Sequence, residues 1–332
     1  MLTTLLFASA AQALDQGQER SVPVPAPEFS NVGCWQPTAA EPDMIDNARE
    51  GLDEILCEAN LWLDGLFGAQ PDVDAARRTR GLLSTAMVYS ERVGWDFKLR
   101  LRVRTELNNL KNRLSAFVGR EPDADFVSGR SEGFALREQF PVLEDEDQWL
   151  AGLGYELPTG YRVRSSLKVG ARRLTDTELF VRYRMSWNAL ANPSYLLNLR
   201  MIPFWTNKDE FGLTAGMDYA LALSDIMLLR WDLVGTQSAS TEKIDWRGTT
   251  VLYRSFAAET GLAGEIYATG DTGDAEALRE YGLRMILRFP LSSRRLYMLS
   301  SVGQAWYQPP DASAPRDRYF NASVELEMPF GR

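Results

Sequence analysis

The stretch from Trp95 to Leu107, WDFKLRLRVRTEL, constrains the fold more than any other part of the chain. From position 97 onward apolar residues alternate strictly with cations, and this period of two predicts a β-strand with one apolar and one basic face. Four successive cations on one face destabilise a sheet unless that face meets water or acidic partners. We therefore expect either a soluble sheet whose cations face outward or a membrane barrel whose cations face inward. The cations are Lys98, Arg100, Arg102 and Arg104.

The same alternation continues over the rest of the chain. It predicts an all-β fold, a closed antiparallel transmembrane barrel of 12–14 strands, with fourteen as the preferred count. Short turns follow every second strand, whereas longer connections follow most of the others, and the longest, at 121–146, is strongly acidic. This asymmetry is typical of membrane barrels whose termini lie on the short-turn, periplasmic side. The predicted strands are 80–91, 94–106, 113–120, 147–157, 161–173, 178–189, 195–207, 210–222, 227–238, 246–258, 261–270, 277–289, 294–307 and 318–330.

The two faces of the predicted strands differ in chemistry. One face is apolar and bracketed by aromatic residues such as Phe211 and Tyr219, which span roughly 20 Å of height at ~3.3 Å per residue and ~40° of tilt. The other face combines charged residues with glycines such as Gly152 and Gly216, and we expect it to line a confined interior. Its cations, which we predict to line the pore, are Lys98, Arg100, Arg102, Arg104, Arg162, Arg164, Lys168, Arg182, Arg184, Arg200, Arg230, Arg284 and Arg288.

The chain divides by composition into three parts. The sequence of residues 1–13 is typical of the end of a signal peptide, because an apolar stretch precedes the small-x-small pattern Ala11-Gln12-Ala13. The basic residues that usually begin a signal peptide are missing, so we expect a truncated leader. Residues 14–76 form an acidic periplasmic segment that accounts for the whole net charge of −9. Residues 77–332 form the barrel. No apolar run approaches the ~20 residues of a membrane-spanning helix.

The acidic segment begins as a Pro-rich tether at 14–30 and continues as an amphipathic helix at 43–67. In the oxidising periplasm Cys34 and Cys57 would form a disulfide that holds the preceding loop on the helix; two buried free thiols are the alternative. We expect this segment to lie at the periplasmic mouth of the barrel, or else to dock a periplasmic protein partner. The apolar stripe of the helix consists of Met44, Ala48, Leu52, Ile55, Ala59, Trp62 and Leu66.

The last predicted strand, YFNASVELEMPF, has apolar residues at every second position back from Phe330. This pattern resembles the C-terminal assembly signal of bacterial outer-membrane β-barrel proteins, although Gly331 and Arg332 follow the aromatic residue that usually ends such a chain. The resemblance extends over 80–332. It implies a Gram-negative outer-membrane location, with membrane lipid, lipopolysaccharide and the barrel-assembly machinery as partners.

The chemistry of the sequence argues against an enzyme. The chain contains no histidine, which barrel-type phospholipases, deacylases and proteases use as general base. We expect no cofactor, no metal and no nucleic-acid partner; Asp271, Asp274 and Glu276 are more consistent with a solvated hairpin tip than with a calcium site. The predicted function is a porin-like channel with a cationic, anion-favouring lumen. A non-conducting scaffold or secretion component, and a lumen closed by its own ion pairs, are the alternatives.

Overall fold

The computed structural model describes residues 80–107, 113–122, 147–158, 160, 162–173, 176–257, 259–273, 277–291, 296–309 and 314–331. All of them belong to the second of the two units into which the chain divides, Met1–Gly33 and Cys34–Arg332. Within these described ranges, no helix is long and apolar enough to span a bilayer. The predicted signal peptide, disulfide and helix 43–67, and nearly all of the acidic connection 121–146, lie outside the described residues.

The described residues form a closed barrel of fourteen antiparallel strands, in which each strand pairs with its sequence neighbours and β1 pairs with β14. The prediction of a closed antiparallel barrel, and its count of fourteen, are confirmed. The strands are β1 Arg80–Ser90, β2 Gly94–Leu107, β3 Leu114–Pro122, β4 Asp147–Leu157, β5 Val163–Arg172, β6 Glu178–Ala191, β7 Tyr195–Thr206, β8 Glu210–Ser224, β9 Met227–Ser238, β10 Thr241–Ala257, β11 Thr260–Asp271, β12 Leu278–Pro290, β13 Tyr297–Tyr307 and β14 Asp317–Gly331.

The two ends of the barrel differ in their connections. At one end, the terminal rim, β1 begins and β14 ends, because Arg80 pairs with Gly331. The turns on this rim are short, such as 225–226 between β8 and β9. The other end, the loop rim, carries the long connection between β3 and β4 and the connections before β12 and β14.

One connection on the loop rim is shorter than the sequence predicts. Strand β10 begins at Thr241 rather than at 246, so the expected polar loop after β9 is a two-residue turn. The hydroxyl groups of Ser238 and Thr241 lie 3.0 Å apart across this turn. A register shift between Thr241 and Asp245 absorbs the extra residues as a bulge, which allows polar residues to continue the strand.

Exposure alternates along the strands with the predicted period of two. On β12, Leu283, Met285 and Leu287 are exposed, whereas Arg284 and Ile286 between them are buried. A closed barrel has a single layer of backbone, so a side chain that loses its accessible surface points into the interior. The apolar residues therefore form the outer surface and the charged residues the inner face, which is the arrangement that the alternation predicts.

The seam between β1 and β14 departs from this alternation. Phe320 is exposed on the outer surface, but Phe330, on the same face of β14, is 3% exposed. Phe330 pairs with Gly81 of β1, and a Cβ atom at that glycine would lie 1.9 Å from the Phe330 ring. The absent side chain of Gly81 therefore leaves the space into which the last aromatic ring packs, which fixes the closing strand on the first.

Candidate functional site

The strand register places the predicted pore-lining cations on one continuous face. Arg164 is opposite Ser186, which is opposite Arg200 on the next strand. The side chains of this set are buried at Lys98, Arg100, Arg182, Arg200, Arg230 and Arg284, partly buried at Arg102, Arg104, Lys168, Arg184 and Arg288, and exposed at Arg164 and at Arg162, which precedes β5.

The cations are concentrated on one side of the barrel, which we call the basic wall and define as the inner face of β2–β6. Among the described side chains of this wall the acids are few: Asp96, Glu156 and Glu178. Strands β3 and β4 lie between the cationic strands and present Gly119, Gly152 and Gly154 to the interior. The Phe117 ring lies over Gly152 and packs against the buried Leu150 and Phe180 side chains. The wall cations are Lys98, Arg100, Arg102, Arg104, Arg164, Lys168, Arg172, Arg182 and Arg184.

The inner face of β7–β14 is a paired wall in which cations contact acids on neighbouring strands, and β1 lies between this wall and the basic wall. Arg200 on β7 binds Asp218 on β8 through one guanidinium nitrogen and Asp232 on β9 through the other, the second contact at 2.8 Å. Arg230 on β9 also binds Asp218. All four side chains are buried. Because each charge has an opposite charge within contact distance, this network is compatible with an interior that excludes water.

The network depends on a glycine beneath it. Gly216 on β8 is opposite Arg200, and a Cβ atom there would lie 2.6 Å from the Arg200 Nε atom. The guanidinium group therefore crosses the strand at a position where only a hydrogen atom fits. This close approach explains the association of glycine with arginine on the same face that the sequence displays.

Two further ion pairs continue the paired wall. Arg284 on β12 donates a hydrogen bond to Glu265 on β11 at 2.8 Å, and both side chains are buried. Arg288 lies 3.7 Å from Glu327 on β14 and 3.9 Å above the Tyr297 ring, measured to its centroid. Both contacts span neighbouring or next-neighbouring strands, so they also tie the sheet together laterally.

Two ion pairs of the basic wall lie near its rims. At the loop rim Arg172 donates a hydrogen bond to Glu178 at 2.6 Å, across the turn between β5 and β6. Near the terminal rim Arg104 donates one to Glu156 at 2.9 Å, and both of these side chains keep contact with solvent.

An apolar patch that the sequence did not predict interrupts the paired wall. The patch consists of Val251 and Tyr253 on β10, Ala263 on β11 and Ile286 on β12, with Leu228 on β9 packed against them. All five occupy the inner face, because each is in register with the others or with inner-face residues. A signal exists in the sequence, because the apolar runs Val-Leu-Tyr at 251–253 and Met-Ile-Leu at 285–287 break the alternation on strands that are close in the sheet.

The outer surface identifies the environment of the barrel. Exposed Leu, Val and Met residues form a band around it, and aromatic pairs lie near both of its edges. Tyr89–Trp95 and Tyr281–Trp306 lie towards the loop rim, with ring centroids 5.0 and 5.2 Å apart, and Tyr219–Trp231 lies towards the terminal rim at 5.5 Å. Aromatic girdles around an apolar band, on a closed barrel with a polar interior, are the surface of a bacterial outer-membrane protein. The chain is an outer-membrane β-barrel protein.

Comparisons with known proteins give only distant likenesses. No family model matches the sequence, and no curated protein matches it. One similar solved structure is the outer-membrane channel DcaP of Acinetobacter baumannii, at 8% sequence identity over 75% of this chain and 96% of that chain, with a TM-score of 0.45. An anion-selective porin from Comamonas acidovorans is similar at 8% identity over 76% of this chain and 98% of that chain, with a TM-score of 0.44. OmpT of Vibrio cholerae is similar at 9% identity over 76% of this chain and 97% of that chain, with a TM-score of 0.43. These likenesses are too distant to transfer a function to this barrel.

The described part of the barrel contains no group of three or more acidic or sulfur-bearing side chains placed to hold a metal ion. Of the weighed calcium site only Asp271 is described, and it accepts a hydrogen bond from Arg279 at 3.2 Å.

Proposed function

We propose that this barrel is an outer-membrane channel for small anionic solutes. The observation that supports the proposal most directly is the uneven distribution of charge on the inner face. The basic wall on β2–β6 has a large excess of cations over the acids described there. A row of cations along a confined, poorly screened path attracts anions and repels cations.

The absence of histidine from the sequence supports transport rather than catalysis. Acids and cations remain as ionisable groups in the interior, and several of them are engaged in contacts with each other across the paired wall. We expect no catalysis by the barrel and no requirement for a cofactor. Membrane lipid and lipopolysaccharide would contact the apolar band, and the barrel-assembly machinery would insert the chain.

The test is the reversal potential of the purified protein in a planar bilayer under a KCl gradient. We expect steps of current and a reversal potential whose sign reports chloride permeation. Replacing Arg164, Lys168 and Arg184 together with glutamate should lower the chloride-to-potassium permeability ratio at least about twofold, because the variant reverses three charges along the path.

The matched control is Arg254→Glu, which changes the same kind of charge on the outer face of β10, beside the Phe256 ring. This variant should leave the permeability ratio unchanged. Selectivity for potassium in the unmodified protein would contradict the anion preference. A folded barrel without any current would contradict the channel and favour the scaffold, in which the acidic N-terminal segment docks a periplasmic protein.

A further inference from the structure

The basic wall has a distinct pattern where β5 and β6 approach the terminal rim. Arg164 on β5 is opposite Ser186 on β6, and Arg184 on β6 is opposite Ser166 on β5. Arginine and serine therefore alternate both along each strand and across the pair of strands. This arrangement depends on the register, because the two strands are separated by a turn and contribute one arginine to each row.

The neutral groups beside these arginines are held by one another. The Ser186 hydroxyl accepts a hydrogen bond from the Asn198 carboxamide on β7 at 2.8 Å. The same carboxamide donates a hydrogen bond to the Asn188 side chain at 2.8 Å. The backbone N–H of Asn188 donates to the Arg162 carbonyl oxygen at 2.9 Å, so a further arginine lies beside the amides. Neutral polar groups thus have fixed positions next to the cations.

We call this part of the inner face the arginine–serine surface. Solvent reaches it, because Arg162 and Arg164 are exposed and its other members are only partly buried. Arg164 is the second residue of β5, which starts at the terminal rim. A solute at this end of the barrel can therefore contact the surface. Its members are Arg162, Arg164, Ser166, Arg184, Ser186, Asn188 and Asn198.

The acids that border the arginine–serine surface are bound by other arginines. Glu156 on β4 borders it on one side and accepts a hydrogen bond from Arg104 at 2.9 Å. Asp218 on β8 borders it on the other side and is bound by Arg200 and Arg230. The surface itself consists of arginines and neutral side chains, so it is positively charged between two acids whose partners lie elsewhere.

This combination of groups suits an anion that also carries hydroxyl groups. Diagonal neighbours across a strand pair are about 7–8 Å apart, which is within reach of long side chains, so Arg164 and Arg184 can contact one carboxylate together. Hydroxyl and carboxamide groups both donate and accept hydrogen bonds, as the hydroxyl groups of a ligand do. The oxygen atoms of a phosphate group mainly accept, so they match the serines and asparagines less well.

We propose that the arginine–serine surface is a binding site for small hydroxylated carboxylates, the class to which sugar acids belong. Arg164 and Arg184 bind the carboxylate, and Ser166, Ser186 and Asn198 form hydrogen bonds with the hydroxyl groups. The proposal rests on the function proposed above, because it names the class of anion that the channel selects. Its test therefore measures binding at equilibrium rather than current.

The first test titrates the full chain, purified in detergent micelles, with gluconate and with propionate in an isothermal titration calorimeter. Each probe has one carboxylate, but only gluconate carries hydroxyl groups. We expect gluconate to bind at least about tenfold more tightly, a difference of ~1.4 kcal/mol. Equal affinities, or no heat with either probe, would overturn the proposal. Tighter binding of inorganic phosphate than of gluconate would overturn it as well. This measurement on the parent chain needs no variant to fold.

Two variants then separate the recognition of charge from the recognition of hydroxyl groups. Arg164→Gln should weaken the binding of both probes at least about threefold, because it removes one charge from the carboxylate site. Ser166→Ala combined with Ser186→Ala should weaken gluconate binding at least about threefold and leave propionate binding unchanged, because only gluconate loses hydrogen bonds.

Each variant has a matched control at an exposed position away from the surface. Arg254→Gln lies on the outer face of β10, and Ser224→Ala lies at the end of β8 on the terminal rim. Both controls should bind the two probes as the parent chain does. Site variants that behave like their controls would overturn the proposal, because the probes would then bind elsewhere.

The binding site and the channel function fail separately. If gluconate binds as proposed while bilayers show no current, the site stands and the channel function fails. If bilayers show an anion-selective current while gluconate and propionate bind equally, the channel function stands and the site fails.

Discussion

The basic wall and the paired wall are built from the same residue types on the same kind of strand, yet they differ in where the acids lie. On β7–β9 Arg200 reaches acids on the next two strands, and all charges in that network are buried. On β2–β6 the described cations lie on β2, β5 and β6, with β3 and β4 between them. One wall therefore pairs its charges across neighbouring strands, whereas on the other the described cations outnumber the described acids.

An arginine on an inner face therefore has no fixed role. Its role depends on the residue one or two strands away at the same height, since cross-strand neighbours lie within reach of a long side chain. Arg200 is opposite Gly216, with Asp218 two positions along β8, whereas Lys168 is opposite Gly154 on one side and Arg182 on the other. The position of Arg200 therefore favours an ion pair, and the position of Lys168 favours a region of positive potential.

The largest effect on this contrast should come from Arg200→Ala. The substitution leaves Asp218 and Asp232 buried without the guanidinium that bridges them, and breaking a buried pair from one side costs about 3–5 kcal/mol. We expect a loss of this size in the free energy of unfolding, measured by urea titration of the barrel in lipid vesicles. Arg164→Ala on the basic wall, where the side chain is exposed, should cost less than about 0.5 kcal/mol. Similar losses for the two variants would remove the distinction between the walls.

A smaller effect should follow from Gly216→Val, which tests the space beneath the network. The new side chain would displace the Arg200 guanidinium, and overpacking of this kind costs typically about 1–3 kcal/mol. The urea midpoint measured in vesicles should fall accordingly. Gly264→Val on the outer face provides the control, because no atom lies within 4 Å of a Cβ atom at that position. A neutral Gly216→Val variant would mean that Arg200 has an alternative position of equal stability.

The sequence predicts the strands, their number and their faces because one repeating period encodes all three. It also predicts which cations share the inner face, since that depends only on alternation within each strand. Which residues of other strands a side chain contacts depends on the strand register, which the sequence alone does not give. The contact of Arg200 with Asp232 on β9 is therefore not visible in the sequence. The apolar patch escaped prediction for a related reason, because Ile286 lies between two apolar residues and the period cannot assign its face.

The smallest effect concerns the ion pair of the basic wall near the terminal rim. Arg104 and Glu156 are 34% and 60% exposed at 2.9 Å, whereas Arg284 and Glu265 are 6% and 5% exposed at 2.8 Å. A double-mutant cycle should give a coupling of about 0.2–1 kcal/mol for the exposed pair. That coupling should disappear in 1 M salt, where the Debye length is ~3 Å. The buried pair should give a larger coupling that salt barely changes, since water and ions do not reach it. Equal salt sensitivity in the two cycles would indicate that solvent reaches both walls alike, and the separation into a structural and a solute-facing wall would then be wrong.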